Sequence, residues 1–347
     1  MAGRPPAGSG LPVAPRHRSR SLGRAARGAG IPPRARSAAG THACLCRQWR
    51  RTGRSRRGAG AVSPGEVREF APAKVNLTLR VGRARADGYH PLDSLVVFAD
   101  WGDEIRVDDS PAFLLTMSGE PSRRLSGGHD NLVMKAAVAL QRAAGLDRAA
   151  RIHLHKAIPV EAGLGGGSAD AAATLRALNR FWKLDWPLDR LAELGLGLGA
   201  DVPACLYSRP LRMRGIGEWI EMVEIGPGLP AVIVNPGVAV PTGPVFVAFD
   251  SRDPGPLAHG PWYQGDLAGW LAGEANDLET VAIGREGVIG DTLEWLHARP
   301  GAWLARMTGS GASCFALFDT LDEAESAAGA YPGFAQAVTL GAPEMPA

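Results

Sequence analysis

No aspartate, glutamate or lysine occurs in the first 65 residues, although this segment carries fourteen arginines. Most of its other positions are Pro, Gly, Ala or Ser, and its apolar residues follow neither a helix nor a strand period. Such a composition cannot bury enough apolar surface to offset the entropy that is lost on folding. We therefore predict that residues 1–65 form a disordered basic tail.

Three explanations for this tail remain open. It is an upstream stretch wrongly included in the coding region, an organellar transit peptide, or a functional basic arm. An arginine-rich, acid-poor composition fits the transit peptide, which would place the protein in a plastid, whereas the first explanation leaves it in the cytoplasm. A secretory signal does not fit, because the tail has no apolar core of the required length.

The rest of the chain has no excess of positive charge. The whole sequence carries a formal charge of +3, but removing the fourteen arginines of the tail leaves 24 basic and 35 acidic residues in 66–347, a balance of −11. The basic character therefore belongs to the tail alone. We expect no nucleic-acid partner for the folded part, and a nucleic-acid-binding role would have to rest on the tail.

Cysteine is scarce, and no apolar run is long enough to span a bilayer. Of the four cysteines, Cys44 and Cys46 lie in the tail without a second ligand pair at zinc spacing, and Cys205 and Cys314 lie in apolar contexts. These features predict a reduced cytoplasmic protein with buried thiols, no membrane partner and no dedicated metal-ligand cluster.

The common phosphate-binding signatures are also missing. No Gly-Lys pair exists, which excludes a Walker A loop, and the looser glycine pattern at residues 195–200 follows a helical run instead of a strand. Residues 163–167 nevertheless contain four glycines, followed by Ser168 and an alanine-rich helical pattern. Glycine amides at a helix start form a cradle for phosphate. A tight connection without a ligand is the alternative.

Residues 66–347 are long enough for two domains or one large one. Residues 71–82 alternate as a strand with one apolar face, so that Lys74 and Asn76 project together. Asp130 and Asn131 cap a predicted helix. Further elements are predicted by period: strands at 92–98, 103–107, 151–155, 231–235, 312–318 and 334–340, and helices at 132–145, 168–182, 188–194, 267–271, 290–297 and 321–330. We place the boundary near 226–230, giving domains at 66–227 and 228–347.

Dispersed segments together point to a family. They are Pro72-Ala-Lys-Val-Asn-Leu, Ala86-Asp-Gly-Tyr-His90, the glycine loop, Gly199-Ala-Asp-Val-Pro203 and Thr308-Gly-Ser-Gly-Ala312. In this order they resemble the GHMP kinases over about residues 70–342. The segment ending in Tyr89 and His90 resembles the branch of the non-mevalonate isoprenoid route, which phosphorylates a cytidine diphosphate-linked methylerythritol. The implied fold is α+β, with a ribosomal-protein-S5-like first domain and a ferredoxin-like second domain.

The resemblance implies transfer of a phosphoryl group from ATP, with Mg²⁺, to a tertiary 2-hydroxyl. It implies that Asp201 is the catalytic base and that Lys74 supports it; the alternatives are a helix cap and a solvated lysine. The nucleotide would be held by Asn131 and by the loop residues Pro159, Val160, Glu161, Ala162, Gly163, Leu164, Gly165, Gly166, Gly167, Ser168 and Ala169. The substrate would be bound by Asn76, Tyr89, His90, Thr242 and Phe246.

One departure and two rivals accompany this interpretation. Many relatives have two serines after the glycines, whereas this chain has Ser168 followed by Ala169, which removes one hydroxyl contact. The rivals are another GHMP kinase acting on mevalonate or homoserine, and a nucleotide-binding module without catalysis. Tyr89 with His90 argues against the first, and Lys74 with Asp201 against the second. We expect a monomer or a weak homodimer.

Overall fold

The structure, a computed structural model, describes residues 65–125, 128, 130–257, 260 and 262–345. Apart from Gly65, the predicted basic tail lies outside the described residues. The described part from Gly65 onward belongs to one compact unit.

One mixed sheet runs through this unit. Its central path has the order β4-β5-β3-β11-β8-β10-β9, while β1, β2 and β6 also pair with β3, and β7 pairs with β6. All pairs are antiparallel except β4 with β5. The strands of the described residues are β1 Val67–Asn76, β2 Arg80–Val81, β3 Leu92–Ser110, β4 Leu114–Ser118, β5 Ala149–His155, β6 Leu211–Gly215, β7 Trp219–Met222, β8 Leu229–Asn235, β9 Leu304–Met307, β10 Cys314–Leu317 and β11 Phe334–Gly341.

The predicted helices are present, with small shifts of their ends. The Asn131 side chain accepts a hydrogen bond from the Val133 amide and so caps α1, as predicted. No helix in the described ranges is both long and apolar enough to cross a membrane. The α-helices of these ranges are α1 Leu132–Ala143, α2 Gly166–Phe181, α3 Leu188–Leu196, α4 Val202–Tyr207, α5 Thr242–Asp250, α6 Leu267–Ala272, α7 Glu279–Arg285, α8 Val288–His297 and α9 Leu321–Ala330.

Three hydrophobic clusters fill the two sides of the sheet. The first packs α1 to α4 against β1, β3, β5 and β6, and the second packs α5 and α7 to α9 against β8 to β10. The third cluster combines Val75 of β1 and Val97 of β3 with Ile233 of β8 and Phe315 of β10. The third cluster therefore joins the first and last parts of the chain through one shared core.

The predicted bounds of the first strands are wrong in detail. The strand predicted over residues 71–82 is interrupted after Asn76, where β1 ends, and β2 follows only at Arg80–Val81. The alternative of a solvated lysine does not hold, because Lys74 is 3 % exposed, Asn76 is 2 % and the following Thr78 is 2 %. The predicted strands at 92–98 and 103–107 are one continuous strand, β3. Both faces of this region are buried because α2 and the glycine loop cover the side that an isolated strand would expose.

The prediction of buried thiols is confirmed for the two cysteines in the described ranges. Cys205 in α4 and Cys314 in β10 are both free and buried. Burial raises the pKa of the Cys205 thiol to about 12, so it stays protonated at neutral pH and is a poor nucleophile.

Candidate active site

A cavity of about 960 Å³ opens where the glycine loop, the end of β1 and α5 meet. Its volume suits a nucleotide together with a second small molecule. Every predicted site residue lines it except Ala169, which is 1 % exposed and packs in the core beneath α2. The tertiary structure thus brings together residues from Lys74 to Phe246 that are far apart in the sequence.

The glycine loop has the backbone conformation of an anion cradle. Gly165 occupies the N-cap position of α2 with φ 63°, and Gly163 has φ 72°. The Lys74 amide donates to the carbonyl of Leu164 at 2.9 Å, which fixes the loop to β1. A Cβ on Gly165 would lie 3.0 Å from Cε of Lys74, so glycine lets the lysine stem pass. The start of α2 can therefore present amides to phosphate oxygens.

A second glycine turn, residues 308–312, packs against this loop. It connects β9 to β10, and Gly309 and Ser310 line the cavity. The Ser313 amide donates to the carbonyl of Ala162 at 3.1 Å. A Cβ on Gly163 would lie 2.6 Å from the carbonyl oxygen of Gly311, so the close approach of the two turns requires glycine there. The turn therefore both lines the cavity and connects two strands.

Lys74 and Asp201 form an ion pair inside the cavity. The Nζ atom of Lys74 lies 3.1 Å from Oδ1 of Asp201, and the two side chains are 4 % and 35 % exposed. A register shift between Pro72 and Lys74 interrupts the pairing of β1 with β3, and such bulges re-aim the side chains that follow. Asp201 stands at the N-cap of α4 but makes no side-chain cap hydrogen bond. Its carboxylate is therefore directed to Lys74 instead of to the helix.

The amide of Asn76 is engaged within the protein. Its Oδ1 accepts a hydrogen bond from Nζ of Lys74 at 3.0 Å, and its Nδ2 donates to Oγ of Ser94 at 2.7 Å. Its backbone amide donates to Oγ1 of Thr308 at 2.9 Å. The direct substrate contact predicted for Asn76 would have to use the second Nδ2 hydrogen or the second lone pair of Oδ1, whereas its contact with Lys74 is explicit.

Aromatic side chains line the part of the cavity beside α5. The His90 ring lies 4.7 Å from the ring of Phe246, and its Nε2 is 2.8 Å from Oδ1 of Asp250. Tyr89 is 56 % exposed at the mouth of the cavity. These rings offer flat faces and ring-nitrogen hydrogen bonds of the kind that bind a nucleobase.

Thr242 opens α5 on the same side of the cavity. Its hydroxyl lies 3.0 Å from that of Ser310, so α5 and the second glycine turn are joined by a hydrogen bond. The sequence analysis predicted no element between 235 and 267, but α5 begins directly after Pro241. Proline at a helix start signals a helix as well as a break, and the weak apolar period of α5 left the choice open.

Sequence analysis missed a buried charge cluster beneath the glycine loop. The Nζ atom of Lys156 contacts a carboxylate oxygen of Asp103 and lies 2.8 Å from Oδ2 of Asp170. Asp103 also accepts hydrogen bonds from the amides of Ala157 and Ile158. Burial raises the pKa of the Asp170 carboxyl well above its usual value. The signal in the sequence was Asp170, a charged residue near the start of the alanine-rich helix α2.

Both halves of the chain match a known domain family. Residues 131–209 match the GHMP kinases N terminal domain, and residues 265–335 match the GHMP kinases C terminal domain. Among the described residues, no group of three or more His, Cys, Asp or Glu side chains is arranged to hold a metal.

Curated relatives match over nearly their whole length. A 4-diphosphocytidyl-2-C-methyl-D-erythritol kinase from Cereibacter sphaeroides is 48 % identical over 274 residues, which cover 76 % of this chain and 95 % of that protein. A kinase of the same name from Parvibaculum lavamentivorans is 43 % identical over 281 residues, covering 78 % and 96 %.

Solved structures agree with this similarity. The crystal structure of a 4-(cytidine 5'-diphospho)-2C-methyl-D-erythritol kinase is 36 % identical with a TM-score of 0.66 and covers 79 % of this chain and 99 % of its own. A homoserine kinase from Cytophaga hutchinsonii, at 20 % identity and a TM-score of 0.59, covers 81 % of this chain and 97 % of its own and shares the fold.

Proposed function

The chain belongs to the 4-diphosphocytidyl-2-C-methyl-D-erythritol kinase family of the GHMP kinases. We propose that the residues of its cavity bind ATP and 4-diphosphocytidyl-2-C-methyl-D-erythritol and catalyse the phosphorylation of this alcohol. It is an ATP-dependent kinase with the two-domain GHMP fold. The γ-phosphoryl group of ATP passes to the 2-hydroxyl of the diphosphocytidyl methylerythritol, a step of the non-mevalonate route to isoprenoid precursors. The observation that carries the proposal is the Lys74–Asp201 ion pair beside the glycine loop.

Asp201 is the proposed general base. The substrate hydroxyl gives its proton to the Asp201 carboxylate while its oxygen bonds to the γ-phosphorus, and the bond from that phosphorus to the β–γ bridging oxygen breaks to release ADP. The ammonium of Lys74, 3.1 Å from Oδ1 of Asp201, offsets negative charge near the transferred group. The bulge in β1 directs the Lys74 side chain, and the absence of a Cβ at Gly165 leaves room for it.

The phosphates would bind to the amides at the start of α2, with the loop residues from Pro159 to Ser168 around them. Mg²⁺, when bound, would neutralise part of the charge of the phosphates. The hydroxyl of Ser168 and the carboxylate of Asp201 line the cavity and would offer oxygen ligands, but no group of three or more His, Cys, Asp or Glu side chains among the described residues is arranged to hold a metal. We therefore propose that the nucleotide holds most of the ion's coordination sphere, and that Asn131 lies near the adenine.

The aromatic end of the cavity is the proposed cytidine site. Tyr89 and Phe246 offer faces on which a base can stack, and His90 can hydrogen-bond its edge. Thr242, tied to Ser310, approaches the substrate from α5. With the cytosine ring among these aromatic side chains and the ATP phosphates at the glycine loop, the reacting hydroxyl of the substrate would lie beside Asp201. We propose a cytoplasmic monomer or weak homodimer as the working form.

The assignment of substrate is tested by ADP release with three alcohols. Purified protein with ATP and Mg²⁺ is given the diphosphocytidyl methylerythritol, mevalonate or homoserine, and ADP is measured by a coupled assay. We expect turnover with the first only. Turnover of mevalonate or homoserine in its place would support the rival GHMP kinases, and ATP binding without turnover of any alcohol would support a non-catalytic module.

The base assignment is tested with Asp201→Asn. We expect kcat to fall by about 10²- to 10⁴-fold, the range that a general base contributes, while ATP still binds. Asp189→Asn is the control, because Asp189 accepts a hydrogen bond from Tyr207 at an exposed position outside the cavity. A kcat for Asp201→Asn close to that of the parent enzyme would overturn the base assignment.

A further inference from the structure

Ser94 lies next to the site but does not line the cavity. It belongs to β3, is 0 % exposed, and stands beside β1 where Lys74 and Asn76 project. Its Oγ makes two hydrogen bonds: it donates to the backbone carbonyl of Thr78 and lies 2.7 Å from Nδ2 of Asn76. Neither the sequence motifs nor the proposed roles use this serine.

The chemistry of these two contacts fixes the direction of every hydrogen bond. A carbonyl can only accept, so the single hydroxyl hydrogen of Ser94 is committed to Thr78. The Ser94 oxygen can then only accept from Asn76, so the amide nitrogen of Asn76 must face it. The other end of the amide, its oxygen, is left facing the ammonium of Lys74 at 3.0 Å.

We propose that Ser94 is a positioning residue that orients the Asn76 amide so that its oxygen holds Lys74 against Asp201. The hydrogen bonds run in one direction, from Lys74 to Asn76, from Asn76 to Ser94, and from Ser94 to the Thr78 carbonyl. With Oδ1 of Asn76 at 3.0 Å and Oδ1 of Asp201 at 3.1 Å, the lysine ammonium has two oxygen partners that define its place. The inference rests on the proposed function, since it assumes that the Lys74–Asp201 pair carries the chemistry.

A second buried pair supplies a matched control. The Oγ of Ser313 lies 3.0 Å from Nδ2 of Asn235, and these residues are 0 % and 6 % exposed. The pair has the same chemistry and burial as Ser94 with Asn76, but its amide faces no lysine. Its oxygen accepts from the Gly237 backbone amide instead. Loss of either serine hydroxyl leaves an unpaired buried amide hydrogen, so both changes cost stability, and Ser94→Ala costs more because the Thr78 carbonyl also loses its donor.

The test is a double-mutant cycle on kcat with Ser94→Ala and Asn76→Ala. Displacement of a reacting group by about 1 Å can cost on the order of 10²-fold, so we expect Ser94→Ala alone to lower kcat by about 10- to 100-fold with KM for ATP unchanged. In the Asn76→Ala background the same change should alter kcat by less than about twofold, because the residue through which Ser94 acts is gone. Ser313→Ala should also lower the unfolding temperature but should lower kcat far less than Ser94→Ala does.

Three outcomes would overturn the proposal. These are an unchanged kcat in folded Ser94→Ala, additive effects in the cycle, and an equal loss of kcat in Ser313→Ala. If Ser94→Ala does not fold, Ser94→Cys replaces it, because a thiol keeps the volume but donates and accepts weakly. If the proposed substrate is wrong, the parent enzyme itself will not phosphorylate it. The cycle can still be measured with any alcohol that the parent enzyme does phosphorylate, so failure of the proposed function and failure of the Ser94 proposal give different results.

Discussion

Three buried ionisable side chains, Lys156, Asp103 and Asp170, lie beneath the glycine loop. If all three are ionised, one positive charge faces two negative charges. Asp103 is fully satisfied by Lys156 and two backbone amides, but Oδ1 of Asp170 has no hydrogen-bond partner among the described residues. One ammonium between two carboxylates leaves the second carboxylate uncompensated, and burial then raises the pKa of Asp170. Asp170 is therefore the charge whose protonation the fold favours.

The first prediction concerns Asp170→Asn. A raised folded pKa means that the folded state keeps a proton that the unfolded state releases, so this group's contribution to stability declines as pH rises above the unfolded value of 3.8 toward the folded pKa. The amide mimics the neutral acid and removes that decline. We expect a flatter dependence of the free energy of unfolding on pH, measured by urea titration between about pH 4 and pH 8.

The matched comparison is Asp103→Asn, which removes the carboxylate that two backbone amides and Lys156 contact. We expect that variant to be strongly destabilised across the whole pH range, because it leaves buried donors without a charged acceptor. An Asp170→Asn protein with a steeper loss of stability at high pH than the parent would contradict the assignment.

The second prediction concerns Tyr89. Because its side chain is 56 % exposed, Tyr89→Ala should leave stability nearly unchanged. Stacking of a base on an aromatic ring is worth about 1–3 kcal/mol, so KM for the cytidine substrate should rise by roughly 5- to 100-fold while KM for ATP changes little. Trp219→Ala, another exposed aromatic at 64 %, lies outside the cavity and serves as control. Equal increases in both KM values would remove Tyr89 from the cytidine site.

At the scale of elements, two glycine turns and one helix form the walls of the cavity. The loop before α2 and the turn between β9 and β10 approach so closely that a Cβ on Gly309 would lie 2.7 Å from the carbonyl oxygen of Gly163. On the other side, α5 carries Thr242, Phe246 and Asp250 at intervals of four residues, so all three face the cavity. One helix face thus supports both the glycine turn and the aromatic group.

The third prediction separates strain from collision at Gly163. Gly163→Ala forces a side chain onto φ 72° and into the Gly311 carbonyl, so we expect lower stability and a raised KM for ATP. Gly145→Ala has a similar φ of 63° but would meet no atom within 4 Å, and should lose only about 1–2 kcal/mol with unchanged KM. Thermal unfolding and steady-state kinetics of both variants give the comparison. Equal changes in stability and in KM for ATP in the two variants would show that the close contact between the two glycine turns does not contribute to nucleotide binding.

For the molecule as a whole, β3 and the third hydrophobic cluster join the first and last parts of the described residues. β3 pairs with β1, β5 and β6 and also with β11, near the end of the chain. We keep the division at 227/228 as a proposal. The first cluster draws only on residues before it, and the second draws mainly on residues after it, with Leu79 and Val81 as exceptions.

The fourth prediction concerns the basic tail. The residues that line the cavity lie between Lys74 and Ser310, and β1 begins at Val67. A variant lacking residues 1–64 should therefore keep its unfolding temperature and its kcat. A variant lacking residues 1–72 removes half of β1 and should lose the fold. Loss of activity in the shorter deletion would show that the tail contributes to the enzyme.

The sequence alone was sufficient for features that depend on neighbouring residues. The glycine loop, the Asn131 cap and helices such as α9 follow from local propensity, capping and period, and the order of the motifs was enough to indicate the kinase family. The same holds for Lys74 and Asp201 as candidates, although their catalytic roles stay predictions until tested.

Only the tertiary structure decided features that depend on residues distant in sequence. It buried the polar face of β1, placed Lys156 between Asp103 and Asp170, and set Ser94 behind Asn76. A strand's period shows which side chains share a face but not what covers that face. Whether a polar side chain is solvated, paired or aimed at a ligand depends on the packing of elements that are far apart along the chain.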